Sequence, residues 1–195
     1  THQQWGENQL RQADAERFRA EAIRQEARMQ LREAGRAYET LGRLRFASRQ
    51  FIEDVWNAAE CYFNGQSYTQ AARLYAEYLH NESRRRNPLA LLRLGQSELA
   101  ARRFDQAIEA LSECVETYPL DPVAYQARLE AARAYEQLNK PAEAERLLLT
   151  NLVEDVLTPA SPEWRDSLFE LGNLFYKEGR YDEAIKRLDE AVKRY

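Results

Sequence analysis

The sequence predicts an all-α chain: an α-solenoid of about four stacked antiparallel helix pairs, preceded by a long N-terminal helix. Three observations predict it. Helix formers (Ala, Leu, Glu, Arg, Gln) dominate, and only 7 Gly and 6 Pro in 195 residues leave little punctuation for a many-stranded fold. Apolar residues fall at helical spacing in stretches such as LGNLFYKEGRYDEAIKRLDEAV, residues 171–192. Finally, a small residue is followed at fixed offsets by an aromatic (three on), an alanine (twelve on) and a large apolar residue (sixteen on), in four places. These are Ala59/Tyr62/Ala71/Tyr75, Gly95/Glu98/Ala107/Leu111 with the aromatic replaced, Ala132/Tyr135/Ala144/Leu148 and Gly172/Phe175/Ala184/Leu188.

The N-terminal element comes first. Residues 8–42 read as one long charged helix, with Ala13, Ala20, Ala27, Ala34 and Leu41 recurring every seven residues between Leu10, Arg17, Arg24, Leu31 and Tyr38. An Ala-rich seam suits close packing on one partner helix, while Arg17 and Arg24 spoil a strict coiled coil. Two roles fit it: a solvated helix docked on the first repeat, or a dimerisation arm or groove-filling helix. The chain thus divides into a long helix at 1–43 and a solenoid at 44–195, with repeats at about 52–86, 87–120, 121–160 and 161–195. Gly35, Tyr38, Gly42, Ala47 and Phe51 also fit the offsets. That register collides with the copy at Ala59, so 44–64 is read as one long helix.

Turn chemistry agrees with the offsets. Asn87-Pro88, Asp121-Pro122 and Ser161-Pro162 each pair an N-capping side chain with a proline expected at the first helical position, where a missing N–H costs nothing. Gly65-Gln66-Ser67, Arg102-Arg103, Asn139-Lys140-Pro141 and Gly179-Arg180 mark the tight turns inside the pairs. Two antiparallel helices approach closely only where a small side chain receives a large one. Ala71, Ala107, Ala144 and Ala184 are expected to be such sites, with Tyr68, Phe104 and Tyr181 plugging the turns. One pair cannot bury its apolar face alone, so neighbours stack.

On these residues the chain resembles the tetratricopeptide repeat (TPR) family. Leu171-Gly172-x-x-Phe175 with Tyr181, Ala184, Leu188 and Ala191 is close to its consensus, and Leu94-Gly95 with Phe104, Ala107, Leu111 and Pro119 is a second match. The copies at 52–83 and 125–157 carry Ala-Ala in place of Leu-Gly. The resemblance covers roughly 52–195 and implies a right-handed solenoid acting as a protein–protein interaction scaffold. The phrase Glu116-Thr-Tyr-Pro-Leu-Asp-Pro122 is also similar to turns in bacterial cell-envelope TPR proteins, which adds a periplasmic or cell-envelope location to the expectations.

Enzymatic chemistry is not expected, nor are a cofactor, a metal or a small-molecule substrate. His2 and His80 have no Cys or His partner at ligand spacing, and Cys61 and Cys114 read as separate buried thiols. The glycines form no Gly-x-Gly pattern, and no nucleophile-elbow or zinc-protease motif occurs. Carboxylates such as Glu109/Glu113 and Asp182/Glu183 read as solvated helix faces. A net charge of −4 with both signs interspersed argues against nucleic-acid binding, and Arg84-Arg85-Arg86 reads as a solvent-exposed loop. No apolar run approaches the ~20 residues that span a bilayer. The start at Thr1 reads as that of an excised, soluble fragment or a mature form.

The family resemblance implies that the first helix of each pair lines a groove for a protein or peptide partner. Its slots fall on Trp56, Glu60, Phe63 and Asn64; on Leu92, Gln96 and Leu99; on Arg133 and Gln137; and on Phe169, Asn173, Tyr176 and Lys177. The family's carboxylate clamp is not expected, because Trp56 and Glu60, or Leu92 and Gln96, stand where it needs Lys and Asn, and Asp166 and Glu170 where it needs cations. With Trp56, Phe63, Leu92, Leu99, Leu129, Phe169 and Tyr176 in these slots, the groove is expected to be apolar and filled. The alternative reading is self-association, as a homodimer, with the groove or an uncapped C-terminal face around Phe175, Ile185, Leu188 and Val192 covered by another copy or by the N-terminal helix.

Overall fold

The computed structural model describes residues 2–81, 87–153 and 157–195, with side chains from residue 19 onward. Among these residues every regular element is a helix: α1 (His2–Leu44), α2 (Phe51–Asn64), α3 (Tyr68–Asn81), α4 (Asn87–Ala100), α5 (Phe104–Thr117), α6 (Val123–Gln137), α7 (Pro141–Val153), α8 (Pro162–Lys177) and α9 (Tyr181–Arg194). The chain is all-α, built of helices that pack in adjacent pairs. It forms two compact units, Thr1–Leu74 and Tyr75–Tyr195. The Arg84–Arg86 run and the side chains of His2, Leu10, Ala13 and Arg17 lie outside the described residues.

In the first unit, glycines let α1 and α2 approach. A Cβ on Gly35 would lie 3.1 Å from Cδ1 of Tyr62, one on Gly42 3.4 Å from Cβ of Asp54, and one on Gly65 3.1 Å from the Arg28 carbonyl. Contacts that climb α1 descend α2, so the helices are antiparallel. Phe51, Val55, Trp56, Ala58, Ala59 and Tyr62 are buried. The expectation of one helix over 44–64 is corrected here. α1 ends at Leu44, and a turn over 45–50 is closed by the Arg45 N–H on the Leu41 carbonyl (3.0 Å) and the Ser48 N–H on the Arg45 carbonyl (2.7 Å). Folding back lays Tyr62 on Gly35 and Phe51 near Gly42, and a continuous helix would leave those surfaces in water.

In the second unit α4 to α9 stack in order, and the first helices α4, α6 and α8 also touch one another. Its core includes Leu91, Leu92, Leu111, Cys114, Leu129, Leu148, Leu171 and Leu174. The offset of sixteen is visible in atoms. Leu111 covers Gly95 so closely that a Cβ there would lie 2.6 Å from its Cδ2, and Leu188 covers Gly172 with a corresponding 2.7 Å. Ala107, Ala144 and Ala184 are all buried. A smaller cluster of Trp164, Leu168 and Ala191 lies between α8 and α9.

One turn recurs inside the pairs. Gln66, Arg102, Asn139 and Gly179 have φ of 56°, 61°, 56° and 75°. In each case the next N–H reaches back five residues: Ser67 to the Tyr62 carbonyl (2.8 Å), Arg103 to Glu98, Lys140 to Tyr135 and Arg180 to Phe175 (2.9 Å each). This is a left-handed C-cap that satisfies carbonyls a helix end leaves bare.

Cap and plug expectations hold in part. The Asp121 carboxylate accepts the Val123 N–H at 2.9 Å, but α6 begins at Val123, one residue beyond Pro122. Pro162 does open α8, yet the Ser161 hydroxyl donates to the Thr158 carbonyl (2.6 Å) rather than capping the helix. Tyr68 and Phe104 are half-buried in their turns. Tyr181 is 59 % exposed, because the Arg180 guanidinium lies over Phe175 at 4.1 Å and the tyrosine ring leans on Tyr176 instead.

Candidate functional site

A chain of polar contacts crosses α4, α6 and α8. Arg93 donates to Oε1 of Gln96 (3.1 Å), and Nε2 of Gln96 donates to Oε1 of Glu130 (3.2 Å). Arg133 then donates from Nη1 to Glu130 (3.3 Å) and from Nε to Glu170 (2.9 Å). Burial works against the Arg133 charge, but Glu130 and Glu170 outweigh it and hold the guanidinium above its ordinary pKa. One turn further along α6, Nζ of Lys177 donates to Oε2 of Glu136 at 2.6 Å.

Beside this chain lies an open recess of about 360 Å³, lined by Leu99, Arg102, Phe104, Arg133, Glu136, Gln137, Glu170 and Lys177. Helix register explains the lining. Residues 133, 136 and 137 share the last exposed turn of α6 at spacings of three and four. Leu99 and Phe104 flank the turn that joins α4 to α5.

Among the residues expected to bind a partner, Leu99, Arg133, Gln137 and Lys177 meet at this recess, and Gln96 stands in the polar chain. Leu92 is 2 % exposed and belongs to the core. Phe169 packs on the Trp164 cluster, 6.5 Å from the Tyr195 ring, while Asn173 and Tyr176 are exposed. In the first unit Trp56 is buried, Glu60 and Phe63 are half-buried and Asn64 is exposed, with Phe63 edge-on to Tyr68 at 5.9 Å.

The expectation of a continuous apolar groove is therefore corrected for α4, α6 and α8. Leu92 and Leu129 turn into the core, and cations and carboxylates hold the surface between the helices. Sequence reasoning missed Arg102 and Phe104 as recess residues and Glu130 as the link between Gln96 and Arg133. A signal for Arg102 existed: it lies seven residues after Gly95, as Gly179 lies seven after Gly172.

Among the described residues no helix is long and apolar enough to cross a membrane. Two family models described as tetratricopeptide repeat match residues 92–162 and 166–195, together just over half of the chain. No curated protein matches the sequence. Solved structures do resemble it. A Podosopora anserina protein described as a kinesin light chain with nearly identical TPR-like repeats shares 18 % identity over 91 % of this chain and 94 % of its own, with a TM-score of 0.69. MamA shares 17 % over 82 % and 85 %, with a TM-score of 0.67. Pseudomonas aeruginosa PilF shares 21 % over 84 % and 77 %, with a TM-score of 0.59. At such identities the likeness carries the fold alone. With helix pairs joined by one repeated turn and two family matches across them, the chain belongs to the tetratricopeptide repeat family, whose members generally serve as protein–protein interaction scaffolds.

Proposed function

We propose that this chain is a non-catalytic interaction module that binds a peptide segment of a partner protein across α4, α6 and α8. The supporting observation is the recess at Leu99, Phe104, Arg133 and Gln137, which sets two apolar side chains beside charged and polar ones. Apolar contacts supply affinity and fixed charges supply register. Lys177 and Gln137 are exposed at its edge, where an incoming backbone meets them first. The turn at Glu116–Pro122 adds a bacterial cell-envelope setting to the proposal.

The test is a selection of random peptides displayed on phage against the chain, followed by fluorescence anisotropy with the synthetic peptides. Gln137→Trp fills the recess from an exposed position, so the fold is kept, as far-UV circular dichroism will verify. Peptides that bind the original chain and lose at least tenfold affinity for the variant support the reading. No enriched peptide, or peptides indifferent to Gln137→Trp, would overturn it.

A second reading is favoured by α9. Tyr181, Ile185 and Val192 are 59 %, 66 % and 72 % exposed along one stripe. The helix carries Asp182 and Glu183 in its first turn and Lys193 and Arg194 in its last. Antiparallel pairing of α9 in two copies sets acidic turns against basic ones, an isologous contact. Sedimentation equilibrium decides this reading: a dimer lost on Ile185→Glu supports it, and a monomer at all concentrations ends it.

A further inference from the structure

We propose that Arg102 is the anion-reading residue of the recess, so that the peptide it takes carries an Asp or Glu side chain beside an apolar residue. This rests on the groove reading above. Charge pairing supports it first. Arg133 is held between Glu130 and Glu170, and Lys177 by Glu136. Arg102 is exposed and lines the same recess; its N–H donates to the Leu99 carbonyl (3.0 Å), but its guanidinium meets no carboxylate or hydrogen-bond acceptor among the described residues. The cations lining the recess thus outnumber its carboxylates by the charge of Arg102. Leu99 and Phe104, on either side of it, give an apolar neighbour to any group the guanidinium holds.

The backbone supplies an independent argument. Arg102 sits at φ 61°, in the left-handed region that L side chains with a branched or long body adopt at a cost. Of the matching positions, Gln66 is another long side chain, while Asn139 and Gly179 are residue types that tolerate this conformation well. Nothing in the turn's hydrogen bonding requires arginine, since Arg103 to Glu98 repeats the bond made by Lys140 to Tyr135 and by Arg180 to Phe175. A residue that the backbone disfavours, unpaired and at the mouth of a recess, is accounted for by a ligand. An arginine fork pairs two-pronged with a carboxylate, which a lysine does not match.

The experiment uses the full chain and phage-selected peptides made with amidated C-termini, so that no terminal carboxylate can substitute for a side chain. Selected peptides should carry Asp or Glu next to Leu, Phe or Trp. Exchanging that acid for its amide should weaken binding at least fivefold, and Arg102→Gly should weaken the acidic peptide by a similar factor without further weakening the amide one. Arg102→Gly should also melt at a higher temperature than the original chain, because glycine relieves the left-handed strain. A simple structural role for Arg102 would lower the melting temperature instead, and overturns the proposal. So does acid-indifferent binding: peptides that enrich without acids and still respond to Gln137→Trp remove the Arg102 assignment while leaving the groove reading in place. Peptides that ignore Gln137→Trp remove both.

Discussion

Leu188 rests on Gly172 so closely that a single methyl on the glycine would fall 2.7 Å from the leucine Cδ2. Alanine is the better helix former, yet here sterics outweigh propensity. Gly172→Ala should destabilise the chain by about 1–3 kcal/mol through overpacking. Gly42→Ala meets Asp54 at an ordinary 3.4 Å and should instead be neutral or add up to about 1 kcal/mol from helix propensity. Urea denaturation of both variants checks this, and a Gly172→Ala variant as stable as the original chain would show that packing at Gly172 relaxes.

Asn151 is fully buried, and its amide donates to the Tyr125 carbonyl (2.9 Å) and the Ser167 hydroxyl (3.0 Å). Asn151→Leu strands both acceptors and should cost about 1–3 kcal/mol. The double variant Asn151→Leu, Ser167→Ala removes one stranded partner with it and should recover part of the loss. Equilibrium unfolding of the two variants measures the difference.

The two thiols should differ in reactivity. Burial above all pushes the Cys114 thiol up to about 12, with Asp121 and Glu113 adding to the effect. Cys61 is raised as well, by burial and then Glu60, but it is only half-buried. A disulfide reagent at mildly alkaline pH should therefore label Cys61 slowly and Cys114 only on unfolding, because the thiolate is the reacting form. Peptide mapping by mass spectrometry identifies the labelled residue, and rapid labelling of Cys114 in the native chain would contradict its burial.

Tyr62 makes the first unit sensitive to high pH. Burial first and the Glu39 carboxylate second push its phenol above the ordinary value of 10.0, and its hydroxyl donates to Glu39 at 3.2 Å. A raised folded-state pKa means that the stability it contributes is complete below the unfolded value and is lost as pH climbs through the folded one. Tyr62→Phe should thus be less stable at neutral pH, by about 1 kcal/mol for the lost hydrogen bond, and lose less between neutral pH and pH above 10.0. Denaturant midpoints across that range test it, and parallel curves would exclude Tyr62 as the titrating group.

The repeat was legible because its signal is local and dictated by sterics. Gly95 with Leu111 and Gly172 with Leu188 stand sixteen residues apart in the sequence and touch in the structure. The break after Leu44 was not legible. Residues 45–50 hold no glycine or proline, and what folds α1 onto α2 is tertiary: Tyr62 against Gly35 and Phe46 edge-on to Phe51 at 5.3 Å. Gln96, Leu99, Arg133, Gln137 and Lys177 came from the groove slots, but the slots did not show the polar pairing between the helices. Glu130 is 34 residues from Gln96, and Glu136 is 41 from Lys177, so no window along the chain shows those pairs. Leu92 and Leu129 share the helices of the recess yet point inward, since a one-residue step turns a side chain by about 100°.

The recurring turn has a consequence for how such a chain can diversify. Its geometry is written in main-chain bonds, the same four times, while the residue on it changes from Gln66 to Arg102 to Asn139 to Gly179. The turn's hydrogen bonds therefore do not dictate the side chain at that position, although a residue other than Gly or Asn pays the left-handed cost there. A lineage, or a protein engineer, can change the side chain that one repeat presents there by a single codon while the main-chain bonds of the turn stay the same.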